Sequence, residues 1–135
     1  MANQLSFAKT YRYPDNEPGI TLPVILISGN LFCNASAKVD TGAEVCLFSR
    51  EIAEDLGLSV EDGISLTMSS LGGPIEAFGH EVTIQIFGVA ITSTIYFAKY
   101  PGLQRNLLGR QGWLRQLRIA IVDYDNLLYL SRYDE

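Results

Sequence analysis

The sequence predicts one mostly-β domain, folded as a closed barrel or sandwich. Apolar and polar residues alternate with a period of two in residues 81–87, as they do in a strand with one buried face. Turn-forming Gly, Pro, Asn and Asp residues separate many short apolar segments, whereas only two short segments have helical character. A chain of 135 residues that is 47% apolar can build one modest core.

The N-terminal segment differs in composition from the rest of the chain. Residues 1–20 are polar and contain Pro14, Pro18 and Gly19. We therefore predict an N-terminal arm over residues 1–20, part of it mobile, ahead of a single domain over residues 21–135.

A β-hairpin is predicted at the start of that domain. Residues 22–28 and 31–39 have the apolar content of strands. Gly29 and Asn30 join them, and this dipeptide accepts the positive φ that a tight hairpin turn requires. A further short strand is expected over residues 45–48.

A helix is predicted over residues 50–56, directly after that short strand. Ser49 is suited to cap its first turn, and Gly57 fits a left-handed exit at its end. Ile52 and Leu56 fall on one face, so the helix should pack against the sheet.

The remainder of the chain predicts further hairpins and a second short helix. Glycine and proline mark the turns between the apolar segments. In chain order we expect a strand over 64–68, a glycine-containing hairpin tip over 69–74, strands over 81–87 and 89–97, a short helix over 111–117, and a terminal hairpin of strands 119–122 and 127–130.

Charge and composition argue against several classes of protein. The net charge is −5, whereas nucleic-acid-binding surfaces usually carry a basic stripe, so no nucleic-acid partner is expected. Apolar stretches are short and no secretory signal is visible, which predicts no membrane partner and a cytoplasmic location. Cys33, Cys46 and His80 lack the pattern of a zinc site or of Cys–His catalysis, so no metal and no other cofactor is expected.

Two motifs carry the functional hypothesis. The first is Asp40-Thr41-Gly42-Ala43, which follows an apolar-flanked run and precedes Glu-Val-Cys-Leu-Phe-Ser. The second is Asn-Leu-Leu-Gly-Arg over residues 106–110, far downstream. In this order the motifs resemble those of the retropepsins, the single-lobed aspartic proteases typified by retroviral proteases. The resemblance covers roughly residues 22–117.

The resemblance implies a retropepsin-like closed β-barrel that acts as a symmetric homodimer. Aspartic proteases need two carboxylates, and this chain has a single Asp-Thr-Gly. The expected catalytic residues are Asp40, Thr41, whose hydroxyl in this family bonds across the dimer, and Gly42, which permits the sharp turn. One solvent molecule would be shared by the two Asp40 carboxyl groups, one protonated and one ionised, which predicts an acidic working range.

Further residues are assigned by the same resemblance. Ala43 and Glu44 would lie against the substrate, with Glu44 standing where the family usually has Asp. Glu44 is also expected to form an ion pair with Arg110, and Arg110 and Gly109 would support the site. The tip formed by Leu71, Gly72 and Gly73 resembles the flap that closes over a bound peptide.

Several alternatives remain open from the sequence alone. Asp40 could be a turn residue that caps backbone N–H groups, and Gly72 with Gly73 could form an ordinary hairpin turn. Trp113 is expected in the core. Residues 127–130 could be an intersubunit strand or a core strand. The protein itself could be a homodimeric aspartic endopeptidase or a retropepsin-fold module that binds peptides or dimerises without cleavage.

Overall fold

The structure, a computed structural model, describes residues 2–135. Across that range the chain forms ten β-strands, one α-helix and three single turns of 3₁₀-helix. The strands are β1 Lys9–Arg12, β2 Thr21–Ser28, β3 Leu31–Val39, β4 Leu47–Phe48, β5 Ile64–Met68, β6 Ile75–Ile86, β7 Val89–Ala98, β8 Asn106–Leu108, β9 Leu117–Val122 and β10 Leu127–Arg132. The helix is α1 Arg50–Asp55, and the 3₁₀ turns are Val60–Asp62, Leu114–Gln116 and Asp123–Asp125.

Seven strands form one sheet, and six of them close into a barrel, while β5 pairs with β6 alone. Their order is β2-β3-β8-β4-β7-β6-β5, and an additional pairing between β2 and β6 closes the sheet. Leu26 of β2, for example, pairs with Cys33 of β3 on one side and with Ile84 of β6 on the other. The prediction of a mostly-β closed barrel is therefore confirmed.

The short strand β8 occupies the centre of this sheet. It runs parallel to β3, with Val39 opposite Leu108, and antiparallel to β4, with Leu47 opposite Leu107. Residues of the second sequence motif are thereby inserted beside the strand that ends at Asp40.

A second sheet of three strands has the order β1-β10-β9. The central strand β10 buries Leu128 and Leu130 in the same core that the barrel fills. Residues 127–130 are therefore a core strand, which decides between the two alternatives for this segment. Both neighbours of β10 come from its own chain.

The N-terminal arm contributes strand β1 to this second sheet. Lys9 lies opposite Leu130, and Tyr13 just beyond the strand is buried. The Tyr13 hydroxyl donates a hydrogen bond to Asp123. Residues 7–13 of the arm are thus packed against the C-terminal hairpin, while the division of the chain at residue 20 stays a prediction.

The first helix forms as its sequence predicts. Ser49 accepts a hydrogen bond at its Oγ from the Ile52 N–H at 3.3 Å, which caps the helix. Gly57 adopts a φ of +73° just after the helix, where other residues would be strained. Ile52 is buried, as expected for the face that packs on the sheet.

The predicted second helix over residues 111–117 is wrong. Gln111 instead bridges to Val45 in a parallel β-pairing, and Gly112 has a φ of +99°. Both features are incompatible with helical hydrogen bonding, so one 3₁₀ turn at Leu114–Gln116 remains. Trp113 is 1% exposed, which confirms its predicted place in the core. Within residues 2–135, none of the helical segments has the length and apolar content needed to cross a membrane.

Candidate active site

Asp40 lies immediately after β3, in a turn held by its own side chain. The Asp40 N–H donates to the Leu108 carbonyl at 3.0 Å, which continues the pairing of β3 with β8. The carboxylate Oδ1 accepts from the Gly42 N–H at 2.9 Å, and the Asp40 carbonyl accepts from the Ala43 N–H at 3.1 Å. The side chain is half-buried. Asp40 thus stabilises its own turn, as the alternative of a turn residue that caps backbone N–H groups predicts. The same turn fixes the direction of the carboxylate.

Gly109 and Arg110 hold this turn from the other side. The Arg110 N–H donates to the Ala43 carbonyl at 2.9 Å. A Cβ on Gly109 would lie 2.1 Å from the Val45 carbonyl oxygen and 2.8 Å from that of Ala43. Only glycine can occupy this position, since the backbones of the two motifs approach each other so closely.

The ion pair predicted between Glu44 and Arg110 is wrong. Both side chains are exposed, and the pair is not among the ion pairs of residues 2–135. The Gln111 N–H instead donates to the Glu44 carbonyl at 2.9 Å. Backbone hydrogen bonds therefore connect the two motifs at this point. An exposed ion pair between Glu44 and Arg110 would add little to that connection in water.

Asn106 is a supporting residue that the sequence analysis did not assign. Its Oδ1 accepts from the Ser49 N–H at 3.0 Å, and its Nδ2 donates to the Ser36 carbonyl at 2.9 Å. One amide side chain therefore connects β3 to the start of α1. Its position at the head of the second motif was the signal that could have identified it.

Cys46 lies beneath the turn and is fully buried. Its Sγ accepts from the Gly109 N–H at 3.3 Å. Burial raises the pKa of this thiol to about 11, so it stays protonated at neutral pH and is no nucleophile. His80 does not approach it, because the imidazole Nε2 lies 2.9 Å from the Val60 carbonyl oxygen.

A cleft of about 630 Å³ opens in front of the turn. Four residues assigned from the sequence border it together, namely Asp40, Gly42, Ala43 and Glu44. Thr41 is exposed beside the cleft. The β5–β6 hairpin and strands β4, β7 and β8 supply most of the remaining lining. Its side chains were not identified from the sequence: Val45, Leu47, Leu66, Thr67, Met68, Ser69, Ser70, Ile75, Tyr96, Leu107 and Gln111.

Leu71, Gly72 and Gly73, at the end of the β5–β6 hairpin, lie outside this cleft. Leu71 is fully exposed, and a Cβ added to Gly72 or Gly73 would meet no atom within 4 Å. The structure therefore brings the stem of the hairpin to the site but not Leu71, Gly72 and Gly73. Their role as a flap stays a prediction.

The arrangement of turn, cleft and barrel can be compared with known proteins. The aspartyl protease family matches residues 26–111, which is more than half of the chain. The chain belongs to this family. Comparison with curated protein sequences finds no match.

Two solved structures share the fold of this aspartyl protease family member. A retropepsin-like aspartic protease from Rickettsia conorii is similar with a TM-score of 0.65 and 17% identity, over 95% of this chain and 100% of that chain. The EIAV protease, solved in complex with the inhibitor HBY-793, has a TM-score of 0.54 and 23% identity, over 72% of this chain and 86% of that chain. The resemblance to retropepsins seen in the two motifs is thereby confirmed at the level of the fold.

Proposed function

We propose that this protein is a homodimeric aspartic endopeptidase that hydrolyses peptide bonds with a water molecule held between Asp40 of each subunit. The observation that carries the proposal is the Asp40 carboxylate, fixed by the Gly42 N–H at 2.9 Å and open to a cleft of about 630 Å³. A carboxylate held by its own turn is preorganised for reaction and needs no rearrangement to meet substrate.

The chemistry follows from placing two such carboxyl groups close together. Two like charges at short range cannot both ionise, so one group keeps its proton while the other is ionised. The ionised group removes a proton from the water as it attacks the peptide carbonyl carbon. The protonated group donates to the carbonyl oxygen, where negative charge develops. The resulting tetrahedral diol then collapses. The group that took the water proton gives it to the amide nitrogen, and the C–N bond breaks. The ionised group takes a proton from a diol hydroxyl, which restores the pair and releases the amine and the carboxylic acid. The two groups titrate as a pair, so neither role belongs to one subunit.

The cleft walls support an apolar residue next to the scissile bond. Leu47, Met68 and Ile75 come from three different strands and face the cleft together with Tyr96 and Leu107. Burial of an apolar side chain against them would contribute about 1.5–3 kcal/mol to binding. A peptide with Leu, Ile, Phe or Met at the cut is the expected substrate class.

The open edge of β9 supports the homodimer. This strand pairs with β10 on one side, and no strand of residues 2–135 pairs with its other side. Ile121 and Val122 are 38% and 42% exposed there. An apolar edge of this kind is a template for pairing with another chain. Two copies of β9 running antiparallel about a two-fold axis would join the two terminal sheets.

The experiment compares cleavage of a diverse peptide library by wild type and by Asp40→Asn. Asparagine keeps the Oδ1 acceptor for Gly42, so the variant should fold normally while its cleavage rate falls about a thousandfold. Sedimentation at the assay concentration should show a dimer. Equal cleavage by both proteins would refute the proposal that the protein is an aspartic protease. Folded protein without any cleavage would favour the non-cleaving peptide-binding module instead.

A further inference from the structure

Three adjoining cavities form a groove that starts at the Asp40 cleft and extends well beyond it. The cleft shares Val45, Tyr96 and Gln111 with a second cavity of about 470 Å³. That cavity shares Arg115 and Gln116 with a third cavity of about 480 Å³ near the C-terminus. The continuous groove is therefore longer than the part that Asp40 borders.

Strand β7 forms a wall along the whole groove. Tyr96 borders the cleft, Thr94 the second cavity and Thr92 the third, which ends at Ala90. From Tyr96 to Ala90 the strand covers about 20 Å at about 3.3 Å per residue. A peptide that follows the groove in an extended conformation would use about six residues to reach its far end.

The backbone of β7 is open on one side over part of this stretch. Strand β6 pairs with it from Val89 to Ala98, whereas β4 pairs with it at Tyr96 and Phe97 alone. On the β4 side Gly112 lies against the strand, because its carbonyl accepts from Ser93 Oγ at 2.8 Å and a Cβ on it would lie 3.2 Å from the Thr94 carbonyl oxygen. Within the part of the chain that the structure describes, no strand pairs on that side between Val89 and Ile95, so the end of the stretch beyond Gly112 can offer main-chain hydrogen bonds to an extended peptide.

Arg115 stands where the second and third cavities meet. It is exposed, and across residues 2–135 no carboxylate lies within ion-pairing distance of its guanidinium. The other arginine of the groove, Arg132, lies 3.7 Å from Asp134, so its charge is already balanced. Arg115 thus supplies a positive charge that a carboxylate can bind with two hydrogen bonds.

We propose that the substrate continues from the Asp40 cleft along the groove beside β7 and places an acidic side chain at Arg115. This inference rests on the proposed protease function and adds a second recognition element to it. Arg115 borders the second and third cavities, which β7 lines at Thr94 and Thr92, so the distance along the strand from Tyr96 places the acidic residue about two to four positions from the apolar residue that the cleft holds. The preferred substrate is therefore a peptide with an apolar residue at the cut and Asp or Glu some distance from it.

The test uses an apolar peptide that wild type cleaves, extended at either end and carrying one Glu or one Gln at position two, three or four from the apolar residue. Wild type should show a KM about two- to fivefold lower for a Glu peptide than for its Gln counterpart, the size expected of an exposed ion pair. The value of kcat should not change, because the ion pair with Arg115 stabilises the bound substrate and the transition state equally. Raising the salt concentration should reduce the difference.

Three variants assign the effect to the groove. Arg115→Gln should abolish the preference for Glu, and Arg115→Glu should favour a Lys peptide instead. Arg105→Gln is the matched control, since Arg105 is also exposed but borders a separate cavity that shares no residue with the groove. This control should keep the preference of wild type.

The outcomes separate this inference from the protease proposal. If wild type cleaves the Glu and Gln peptides equally, or if Arg115→Gln keeps the preference, the inference is overturned and the protease stands. If no peptide is cleaved, fluorescence anisotropy of the Glu and Gln peptides with Asp40→Asn decides. A Glu preference that depends on Arg115 would support the groove, whereas absence of binding would overturn both proposals.

Discussion

The two walls of the cleft differ in how the protein holds them. On one side the turn at Asp40 is fixed by hydrogen bonds from its own backbone, from β8 and from Arg110. On the other side the tip over residues 69–74 is held by Ser70 and Gly73, which hydrogen-bond to each other, while Leu71 is surrounded by solvent. One wall is a rigid platform, and the other ends in a segment with few contacts of its own.

This contrast suits the proposed chemistry. A carboxylate must be held in one orientation if two copies are to share a water molecule, because misplacement by about 1 Å is costly in catalysis. A segment that covers an extended peptide must instead move to admit it, and such segments have low local stability. The platform and the tip are therefore expected to respond differently to the same kind of substitution.

The largest difference is expected from adding one methyl group to each wall. Gly109→Ala would place a Cβ 2.1 Å from the Val45 carbonyl oxygen, so the two motifs must separate. We expect the free energy of unfolding to fall by about 3 kcal/mol, the upper range for overpacking. The Cβ added by Gly72→Ala would have no atom within 4 Å, so the free energy of unfolding should change by less than about 0.5 kcal/mol. Urea unfolding of both variants measures this, and equal losses would contradict the contrast.

Features that the sequence specifies locally were predicted well. Gly29, Ser49 and Gly57 act through their own backbone or side chain within a few residues, and the hairpin turn, helix cap and helix exit they predict are all present. The placement of Asp40 at the end of a strand, beside a cleft, follows in the same way from its Thr-Gly turn. These features depend on short-range physics that a motif contains.

Features that depend on long-range pairing were not predicted. The bridge from Val45 to Gln111 joins residues far apart in sequence, and it replaces the helix that the composition of residues 111–117 suggested. The apolar cleft wall also arises from register, since Met68 faces Ile75 across a hairpin whose pairing no single segment specifies. The wrong prediction of an ion pair between Glu44 and Arg110 has a similar origin. Whether two side chains meet depends on the direction in which each one points, and residue spacing does not give that direction.

A smaller effect, confined to activity, is expected at the tip. Leu71 is exposed in the free protein, so Leu71→Ser should leave the free energy of unfolding within about 0.5 kcal/mol of wild type. If the tip closes over a peptide, loss of that apolar contact should lower kcat/KM about tenfold, which corresponds to burial of part of one leucine side chain. Cleavage kinetics of the variant measure this. An unchanged kcat/KM would show that the tip is an ordinary hairpin turn.

The smallest effect concerns pH, and it acts on the platform alone, because residues 69–74 contain no titratable side chain. Burial raises the pKa of Cys46 from its ordinary value of 9.0 to about 11. The folded state therefore favours the neutral thiol, and its contribution to stability is complete below pH 9 and is lost as the pH rises toward 11. Burial raises the pKa of Tyr13 from 10.0 to about 12, so its contribution is lost from pH 10 upward, equally in wild type and in a Cys46 variant. Urea unfolding between about pH 8 and pH 10.5 should thus show a steeper loss of stability for wild type than for Cys46→Ala. Parallel curves would mean that the Cys46 thiol is less enclosed by the platform than its contacts with Gly109 indicate.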